Sequence, residues 1–562
     1  MKQLIECVPN FSEGRDMNII NQITDQIKTV EGVKLLDVDP GASTNRTVVT
    51  IVGTPEEVLE AAFRAIKKAS ELIDMSKHKG DHPRFGATDV CPLVPVSNIT
   101  MDEVVKYAHK LAERIGAELD IPIYCYEFAA REEKRRNLAN CRSGEYEALE
   151  SRIGTSEWKP DFGPSSWNKK TKKTGATAVG ARNFLVAYNI NLNTTSTNRA
   201  NSVAFDLRER GRVKREGHPI TGKPVLDKNG KKVYEPGLLK AVKAIGWYIE
   251  EYGIAQISMN LTDITVTPVH IAFDKACERA QANGLRVTGS ELVGVIPLQA
   301  MLDAGKYFLK KQKRSTGVSD AELIKIAVKT LGLDELTPFD PKKNIIEYML
   351  EDESNRLIDM DLVKFCHTTA SDAPAPGGGS ISAYAGALGA ALGTMVANLT
   401  AHKYRHDDRW EKYSDWAEKG KVFHDTLLKM VDEDTNAFNR IMEAFGLPKK
   451  SDSQKAARKQ AIQDATKYAI EVPFKTMELC YEAMSIMKAM AETGLEASIS
   501  DAGVGALCAR AGVQGAFLNV KINCGDLEDK NFVQDIISKG ENLEHKAIAL
   551  EKEIMEMVNS KI

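Results

Sequence analysis

The sequence has 562 residues, of which 43% are apolar and 27% are charged. These proportions are typical of globular proteins and exclude wholesale disorder and collagen-like or fibrous structure. The 75 basic and 78 acidic residues give a formal net charge of −3. The chain as a whole therefore offers no electrostatic field for nucleic acid or an anionic membrane. At about 150 residues per domain, the length predicts three or four domains.

The nine cysteines are scattered along the chain and form no Cys-x-x-Cys pair. A zinc ribbon or a thioredoxin-type site is therefore not indicated. The odd number and wide spacing of the cysteines suit a reducing compartment. The first residues, MKQLIECVPNFSEG, lack the apolar core of a signal peptide. We therefore expect a cytoplasmic protein.

The first 180 residues alternate strand and helix patterns. The predicted order is strand 4–10, helix 17–28, strand 33–38, strand 46–52, helix 55–73, strand 89–96, helix 101–115 and strand 121–126. The β-α-β-β-α-β order predicts a ferredoxin-like sheet with helices on one face.

A second, less regular alternation of strand and helix patterns follows. It predicts another α/β subdomain, which is a candidate structural repeat of the first. The predicted elements are strand 184–192, helix 201–210, helix 238–251, strands 254–260 and 263–269, helix 272–283 and strand 292–296. Residues 161–167 and 174–184 are predicted to join the two subdomains, and Phe162 and Trp167 favour a ligand contact over a plain linker. Residues 212–236 form a basic, Gly/Pro-rich insertion in which residues 228–231 predict a hairpin turn.

Strand patterns end near residue 357, and long helical segments follow. These segments are residues 380–400, 408–444, 453–493, 501–518 and 530–560, which is the pattern of an antiparallel bundle. Residues 381–401 are uncharged and long enough to span a membrane. They are mostly small residues, however, and Gly386, Gly389 and Gly393 share one helical face, so we predict a buried bundle helix.

The predicted fold class is therefore multidomain, with two α/β (ferredoxin-like βαββαβ) subdomains followed by an all-α helical-bundle domain. The predicted boundaries are residues 1–180 and 181–350 for the subdomains, 351–357 for a linker and 358–562 for the helical domain.

The densest set of chemically active residues lies in the first subdomain. Asn10 follows one predicted strand, Asp39 ends another, and Arg46 begins a third. The loop MSKHKGDHPRFG adds two histidines and two other cations, namely His78, His82, Lys79 and Arg84. Such a loop suits acid/base chemistry on an anionic substrate. A solvated, charged connection is the alternative, and composition alone does not decide between them.

The two loop histidines have the i, i+4 spacing of some metal ligands. Gly80 and Pro83 oppose a continuous helix there, however, and the sequence contains no His-Glu-x-x-His motif. We therefore predict no metal site.

The helical part contains three further candidate groups. The segment DAPAPGGGS places three glycines at a helix start, Gly377, Gly378 and Gly379, where backbone N–H groups can bind an anion or a ring carbonyl. Asp432 and Asp434 are two residues apart, so one of them is expected to point inward, with a raised pKa. The pattern alone favours a solvated acidic face. Asn519 and Asn523 share a helical face and could bind a polar ring edge.

Several segments together resemble the formimidoyltransferase-cyclodeaminase family of bifunctional folate enzymes. They include ECVPNFSEG, LLDVD, STNRTV, DMSKHKGDHPRFGATDVCPLVPV, RSGEYEAL, PDFGPSS, GATAVGARNFLVAYNINL and APGGGS, in an order that covers nearly the whole chain. The resemblance implies that the amino-terminal unit transfers a formimino group from N-formimino-L-glutamate to N5 of tetrahydrofolate. It implies that the helical unit then closes the ring to 5,10-methenyl-tetrahydrofolate with loss of ammonia.

The resemblance also assigns roles to residues. It places the transferase acid/base group on His82 and the deaminase acid/base group on Asp434. It places folate contacts on two short stretches, Gly163, Pro164, Ser165 and Ser166 in the first unit and Gly377, Gly378 and Gly379 in the second. Within this picture, we expect the glutamate carboxylates to meet Arg46, Lys79 and Arg84, since guanidinium groups bind carboxylates bidentately. Asp39 would orient His82 or hold the formimino nitrogen.

The resemblance implies polyglutamylated tetrahydrofolate as co-substrate, no metal, no nucleic-acid or membrane partner, and a homo-oligomer built from dimers. Two other functions remain open. The helical half could be a methenyltetrahydrofolate cyclohydrolase, or the chain could be a non-catalytic folate-binding scaffold.

Overall fold

The computed structural model describes residues 3–42, 44–80, 84–217, 221–350 and 356–562. These residues form two compact units, one of residues 1–300 with 331–351 and one of residues 301–330 with 352–562. The first unit mixes sheets and helices, and the second is helical. The predicted division into a mixed α/β amino-terminal part and a helical carboxy-terminal part is confirmed.

The first sheet is built from the first third of the chain. Its elements and the helices around it are β1 (Leu4–Cys7), β2 (Asn10–Phe11), α1 (Met17–Lys28), β3 (Lys34–Gly41), β4 (Arg46–Gly53), α2 (Pro55–Leu72), β5 (Thr88–Ser97), α3 (Met101–Leu119), β6 (Ile123–Glu127), α4 (Leu138–Cys141), α5 (Leu149–Arg152), α6 (Lys169–Thr174) and β7 (Thr177–Ala181). Both β1 and β2 lie between β4 and β5, so the spatial order is β3, β4, β1 with β2, β5, β7, β6. Neighbours are antiparallel except β5 with β7 and β7 with β6, which are parallel.

Local sequence signals explain where the helices of this part begin. Helix α2 starts with Pro55, whose fixed φ suits the first helical position. Helix α3 starts with a capping box in which Thr100 and Glu103 exchange hydrogen bonds. Apolar side chains of α1, α2 and α3 pack with those of the sheet in one core.

Residues 161–181 do not join two subdomains, so that interpretation is wrong. All five residues of β7 are buried, and β7 pairs with both β5 and β6. The Phe162 carbonyl accepts a hydrogen bond from Ile123 N at 2.9 Å, which ties the preceding stretch to β6. A strand that is buried on both faces has no polar alternation, and its small residues resemble a linker in composition.

The next part of the chain forms a second sheet. Its elements, and the helices that follow, are β8 (Val186–Leu192), α7 (Thr197–Leu207), β9 (Arg212–Val213), β10 (Arg215–Glu216), β11 (Lys223–Pro224), β12 (Tyr234–Glu235), β13 (Val242–Ile249), β14 (Ile254–Leu261), α8 (Val269–Ala282), β15 (Val287–Val293), α9 (Leu298–Lys311), α10 (Asp320–Leu331), α11 (Pro341–Asn344) and α12 (Ile346–Leu350). The order β13, β14, β8, β15 is antiparallel throughout. It repeats the order β3, β4, β1, β5 of the first sheet.

Three predictions in this part are wrong. Residues 238–251 contain strand β13 instead of a helix, and burial alternates from Val242 to Trp247 as a strand requires. Residues 263–269 are not a strand, because the Asp263 carboxylate accepts a hydrogen bond from Thr265 N in a turn that leads into α8. Strand β15 ends at Val293, before most of the predicted strand 292–296.

The predicted hairpin turn in the basic insertion is confirmed. Asp227 N donates to the Lys231 carbonyl at 2.7 Å, and Gly230, with φ of 74°, donates to the Asp227 carbonyl at 3.0 Å. The flanking residues form two short ladders, β9 with β12 and β10 with β11.

The helical unit follows the predicted segments closely. Besides most of α9 and α10, it contains α13 (Leu362–Thr369), α14 (Gly378–Lys403), α15 (Arg409–Gly446), α16 (Asp452–Thr493), α17 (Ile499–Asn523) and α18 (Lys530–Asn559). Helix α14 is long and apolar enough to cross a membrane, but 61% of its apolar window is buried within the protein. A Cβ on Gly389 would lie 2.6 Å from the Gly505 carbonyl of α17, so the glycine face lets two helices approach closely. The prediction of a buried bundle helix is confirmed.

Candidate active sites

In the α/β unit, two predicted residues are hydrogen-bonded to each other, and one of them also contacts a buried carboxylate. Arg46, the first residue of β4, donates from Nε and Nη2 to Asn10 Oδ1 at 3.0 and 2.6 Å. Its Nη1 lies 3.2 Å from Oδ2 of Asp89, whose side chain is 1% exposed. Burial lowers the pKa of Arg46, and the Asp89 carboxylate opposes that shift. The first sheet thus holds a nearly buried guanidinium beside Asn10.

The histidine-bearing loop is tied to the β3–β4 hairpin by Asn45. Asn45 Nδ2 donates to the Lys79 carbonyl at 3.0 Å, and Asn45 Oδ1 accepts from Gly14 N at 3.0 Å. His78 Nε2 lies 2.8 Å from the Asn45 carbonyl. Burial lowers the pKa of His78, so its neutral form is favoured near pH 7. His82 lies outside the described residues, as do its neighbours at positions 81 and 83.

The other predicted contacts of this unit are not gathered into the Asn10–Arg46 cluster. Asp39 and Lys79 have exposed side chains, the former on β3 opposite Val48. Arg84 pairs with Glu147 and lies 3.7 Å from Glu145. Its charge therefore already faces two carboxylates, which makes it a weaker candidate for a substrate carboxylate than Arg46.

The Gly163–Ser166 stretch lies on the surface beside β6. Gly163 has φ of 78°, and a Cβ there would lie 2.2 Å from the Ile121 carbonyl, so glycine is required. Ser165 and Ser166 are exposed, Pro164 is half-buried, and the Ser166 carbonyl accepts from Thr171 Oγ1 at 3.3 Å. These contacts fix the backbone of the stretch and leave its serine hydroxyls at the surface.

In the helical unit, candidates from distant parts of the sequence line one cavity of about 170 Å³. Predicted residues in the lining are Gly377, Gly378, Asp434, Asn519 and Asn523. Apolar walls are supplied by Pro374, Ala375, Ala437, Phe438, Ile441 and Ala469. The cavity therefore combines polar groups from α15, α17 and the start of α14 with an apolar surface suited to a planar ring.

Asp434 is held at the amino terminus of α14. Ser380 N donates to Asp434 Oδ2 at 2.9 Å, and the Ser380 hydroxyl lies 3.1 Å from the same oxygen. A Cβ on Gly379 would lie 2.0 Å from Asp434 Oδ1, so this approach requires glycine. Burial raises the pKa of Asp434, and the Ser380 hydrogen bonds oppose that rise. Asp434 is thus half-buried against the start of α14, and Asp432 is half-buried as well, so the two residues do not divide into one inward and one solvated aspartate.

The two asparagines are oriented by backbone carbonyls. Asn519 Nδ2 donates to the Gly515 carbonyl at 2.9 Å, and Asn523 Nδ2 donates to the Ala469 carbonyl of α16 at 2.7 Å. Within the described part of the chain, neither amide oxygen accepts a hydrogen bond. Both oxygens are thus free to accept N–H groups from a ligand in the cavity.

Comparison with known proteins now identifies the family. Family models match residues 4–182 (formiminotransferase domain, N-terminal subdomain), 187–351 (formiminotransferase domain) and 361–542 (formiminotransferase-cyclodeaminase). A formimidoyltransferase-cyclodeaminase of Gallus gallus is 44% identical over 534 residues, which cover 95% of this chain and 94% of the relative. The chain belongs to the formimidoyltransferase-cyclodeaminase family. The resemblance seen in the sequence is confirmed.

Two shorter relatives of this formimidoyltransferase-cyclodeaminase chain have single-activity names. A glutamate formimidoyltransferase of Thermoplasma acidophilum is 40% identical over 309 residues, which cover 55% of this chain and 92% of the relative. A methenyltetrahydrofolate cyclohydrolase of Methylorubrum extorquens is 41% identical over 198 residues, which cover 35% of this chain and 95% of the relative.

Some residues of the family-matched regions escaped the sequence argument. Arg142 lies within the quoted segment RSGEYEAL, yet its ion pair with Asp89 joins residues 53 positions apart. Thr435 lines the helical cavity, and its buried hydroxyl has no hydrogen-bond partner among the described residues. Of these two residues, only Thr435, as the neighbour of Asp434, carried a local signal. Asp432, in contrast, is singled out by the sequence, and it accepts from Leu357 N at 2.6 Å and so anchors the start of the helical unit.

The described part of this family member contains no group of three or more His, Cys, Asp or Glu side chains that could hold a metal ion. The polar groups at both candidate sites are instead guanidinium, amide, hydroxyl and carboxyl groups. Such groups can bind carboxylates and ring edges and can move protons.

Proposed function

We propose that this chain catalyses two consecutive steps on one folate. It transfers a formimino group from N-formimino-L-glutamate to N5 of tetrahydrofolate, and it then cyclises 5-formimino-tetrahydrofolate to 5,10-methenyl-tetrahydrofolate with release of ammonia. The observation that carries this proposal is the helical cavity, where a half-buried aspartate faces a glycine turn and two asparagines. The full-length relative of the same two-part name supports both activities.

In the transfer step, N5 of tetrahydrofolate attacks the formimino carbon and forms a tetrahedral intermediate. The bond from that carbon to the glutamate nitrogen then breaks, and the leaving nitrogen takes a proton. His82 is proposed to move this proton, a contribution of about 10² to 10⁴ in rate. Arg46, oriented by Asn10, binds a carboxylate of the donor substrate. Asp39 is proposed to hold the formimino nitrogen.

The remaining proposed transferase contacts lie at the surface of the described structure. Lys79 has an exposed side chain and can reach an anionic ligand without losing a protein partner. Arg84 would have to exchange its contacts with Glu145 and Glu147 for substrate. The Gly163–Ser166 stretch presents two serine hydroxyls for the folate.

In the cyclisation step, N10 attacks the formimino carbon already attached to N5. The five-membered ring closes, the bond to the terminal nitrogen breaks, and ammonia leaves after receiving a proton from Asp434. The raised pKa of Asp434 makes it a better proton donor near neutral pH than an ordinary aspartate. The glycine turn and the amide oxygens of Asn519 and Asn523 hold the polar edge of the pterin.

The experiment is a coupled assay on the full chain. Purified protein is mixed with N-formimino-L-glutamate and tetrahydrofolate, and the absorbance of methenyl-tetrahydrofolate is followed while ammonia is measured in parallel. We expect signal from the wild type, loss of signal in His82→Ala and in Asp434→Ala, and its return when the two variants are mixed. Asp415→Ala, an exposed acid on the same helix as Asp434, serves as control. Failure of the wild type to consume the donor would contradict the proposal.

A second candidate function for the helical half is methenyltetrahydrofolate cyclohydrolase, because one relative with 41% identity carries that name. The two candidates differ in their products. Stoichiometric ammonia from 5-formimino-tetrahydrofolate supports the cyclodeaminase. Hydrolysis of methenyl-tetrahydrofolate without ammonia release from the formimino compound supports the cyclohydrolase. Binding of folate with neither reaction would leave the scaffold function.

For the organisation of the chain, we propose two ferredoxin-like subdomains over residues 1–180 and 181–350, a linker at 351–357 and a cyclodeaminase domain at 358–562. The shared strand order of the two sheets supports the first part of this proposal. We further propose a cytoplasmic homo-oligomer built from dimers that needs no metal and prefers polyglutamylated folate. Equal transfer efficiency with mono- and polyglutamate folates would contradict the last point.

A further inference from the structure

Arg142 contacts the same buried carboxylate of the α/β unit as Arg46, that of Asp89. It follows the short helix α4 and donates from Nε to Asp89 Oδ1 at 3.1 Å and from Nη2 to Asp89 Oδ2. Its side chain is 14% exposed, and that of Asp89 is 1% exposed. A bidentate pair of this kind fixes the plane of the guanidinium group.

The same carboxylate also contacts Arg46. Its Oδ2 lies 3.2 Å from Arg46 Nη1, so one carboxylate lies between two guanidinium groups. Two like charges are held close together with little solvent to screen them. An anion placed beside both groups would therefore gain more than it would at an exposed arginine.

The second terminal nitrogen of Arg142 is free to bind such an anion. In the part of the chain that the structure describes, Nη1 of Arg142 takes part in no hydrogen bond. It is also not among the buried polar atoms that lack a partner, so it remains open to solvent. A donor on a fixed, mostly buried guanidinium is preorganised for a ligand, since little side-chain freedom is lost on binding.

Arg84 provides the contrast within the same unit. It contacts two carboxylates, those of Glu145 and Glu147, whereas among the described residues Arg142 contacts one carboxylate, that of Asp89, which it shares with Arg46. The charge balance therefore favours an anion at Arg142 and disfavours one at Arg84.

We propose that Arg142 binds a carboxylate of the formimino donor through Nη1, next to the carboxylate site of Arg46. The inference rests on the proposed transfer activity and adds a substrate contact to it. The two guanidinium groups, set by one shared aspartate, select a donor with two carboxylates over a donor with one. Asp89 acts as a positioning residue, because it fixes both arginines and does not touch the substrate.

The test measures selectivity, which a purely structural role would leave unchanged. The kcat/KM of the full chain is determined with N-formimino-L-glutamate and with N-formiminoglycine, which has a single carboxylate, at saturating tetrahydrofolate. We expect Arg142→Gln to lower the preference for the dicarboxylate about tenfold or more, as the loss of a charge-assisted hydrogen bond predicts. Arg136→Gln, a 57% exposed arginine that precedes α4, is the matched control and should keep the wild-type ratio.

Arg142→Lys keeps a charge beside Asp89 and is the second variant if the glutamine variant fails to fold. Its preference should lie below that of the wild type, because lysine cannot reproduce the bidentate pair. A wild-type preference in both variants would overturn the assignment of Arg142 while the transfer activity stands. A wild type that consumes no N-formimino-L-glutamate would instead overturn the proposed function itself.

Discussion

The two units of the protein bury a carboxyl group at their candidate sites in opposite ways. In the α/β unit, Asp89 is enclosed by Arg46 and Arg142. In the helical unit, Asp434 receives the N–H and the hydroxyl of Ser380, and within the described ranges it pairs with no cation. The first arrangement presents positive charge to an anion. The second raises the pKa of the acid, because burial without a cation disfavours the ionised carboxylate, although the Ser380 hydrogen bonds oppose that rise.

This difference follows the needs of the two proposed steps. A donor with two carboxylates must be bound and oriented in the transfer step, and we propose that the guanidinium groups of Arg46 and Arg142 supply that binding. The cyclisation step needs one proton at one departing nitrogen. Small residues at a helix start, such as Gly379, let an aspartate come close enough to be enclosed.

The largest expected effect comes from closing the space that Gly379 leaves open. Its Cβ would lie 2.0 Å from Asp434 Oδ1, so Gly379→Ala must push the carboxyl group away from Ser380. Misplacing a catalytic acid by about 1 Å can cost a hundredfold. We therefore expect ammonia release from 5-formimino-tetrahydrofolate to fall by about a hundredfold or more, with transfer unchanged.

The matched control for this substitution is Gly446→Ala, at the last residue of α15, the helix that carries Asp434. A Cβ on Gly446 meets no atom within 4 Å, so this variant should keep the wild-type rate. Full ammonia release by Gly379→Ala would show that the close approach at α14 is unrelated to catalysis. Close packing around Asp434 would then no longer distinguish the helical site from the α/β site.

The fold of the two units was predictable to different degrees. The five long helices of the bundle match their predicted segments within a few residues, because their lengths and helix-favouring composition leave no alternative. Strand β13 was mistaken for a helix, since Leu238 to Glu251 contains helix-favouring residues and the alternating burial arises only when it pairs with β14. Strand β7 was hidden by its small residues, whose burial between β5 and β6 is a tertiary effect.

The candidate sites, like the strands, could be predicted from the sequence only in part. Helical periodicity alone favoured a solvated acidic face at Asp434, whereas the structure places it against the start of α14. Only the family resemblance connected it with the glycine turn. The pairing of Arg142 with Asp89 depends on how a loop folds back onto β5, and no periodicity in the sequence encodes it.

A second buried carboxyl sharpens the comparison through its pH dependence. Glu6 on β1 is 4% exposed, and burial raises its pKa to about 7, opposed by Arg182. Unlike Asp434, it receives no hydrogen bond from the described residues. The folded state therefore holds a proton that the unfolded chain releases above its ordinary pKa of 4.5. The stabilisation that Glu6 gives at low pH is lost as the pH rises through about 7.

We accordingly expect Glu6→Gln to remove the loss of stability that the wild type shows as the pH rises. The free energy of unfolding of the variant should exceed that of the wild type by up to about 3 kcal/mol at pH 8 and by little at pH 5. Thermal unfolding of the full chain at the two pH values measures the difference, with the exposed Glu157→Gln as control. An equal difference at both pH values would mean that Glu6 keeps an ordinary pKa and that burial alone does not set proton affinity in this protein.

The smallest effect tests whether the α/β site depends on its loop. Asn45, with φ of 48°, ties that loop to the hairpin through the Lys79 carbonyl and Gly14 N. Asn45→Ala removes both hydrogen bonds, so we expect transfer to fall about tenfold while ammonia release from 5-formimino-tetrahydrofolate is unchanged. Asn45→Asp keeps the oxygen that accepts from Gly14 N and loses the N–H group that donates to the Lys79 carbonyl. The transfer rate of this variant should therefore lie between those of the wild type and the alanine variant. Wild-type transfer in the alanine variant would mean that Arg46 and Arg142 position the donor substrate without help from the loop. Charge alone would then be enough to position the donor substrate at the α/β site, whereas the helical site depends on close packing around Asp434.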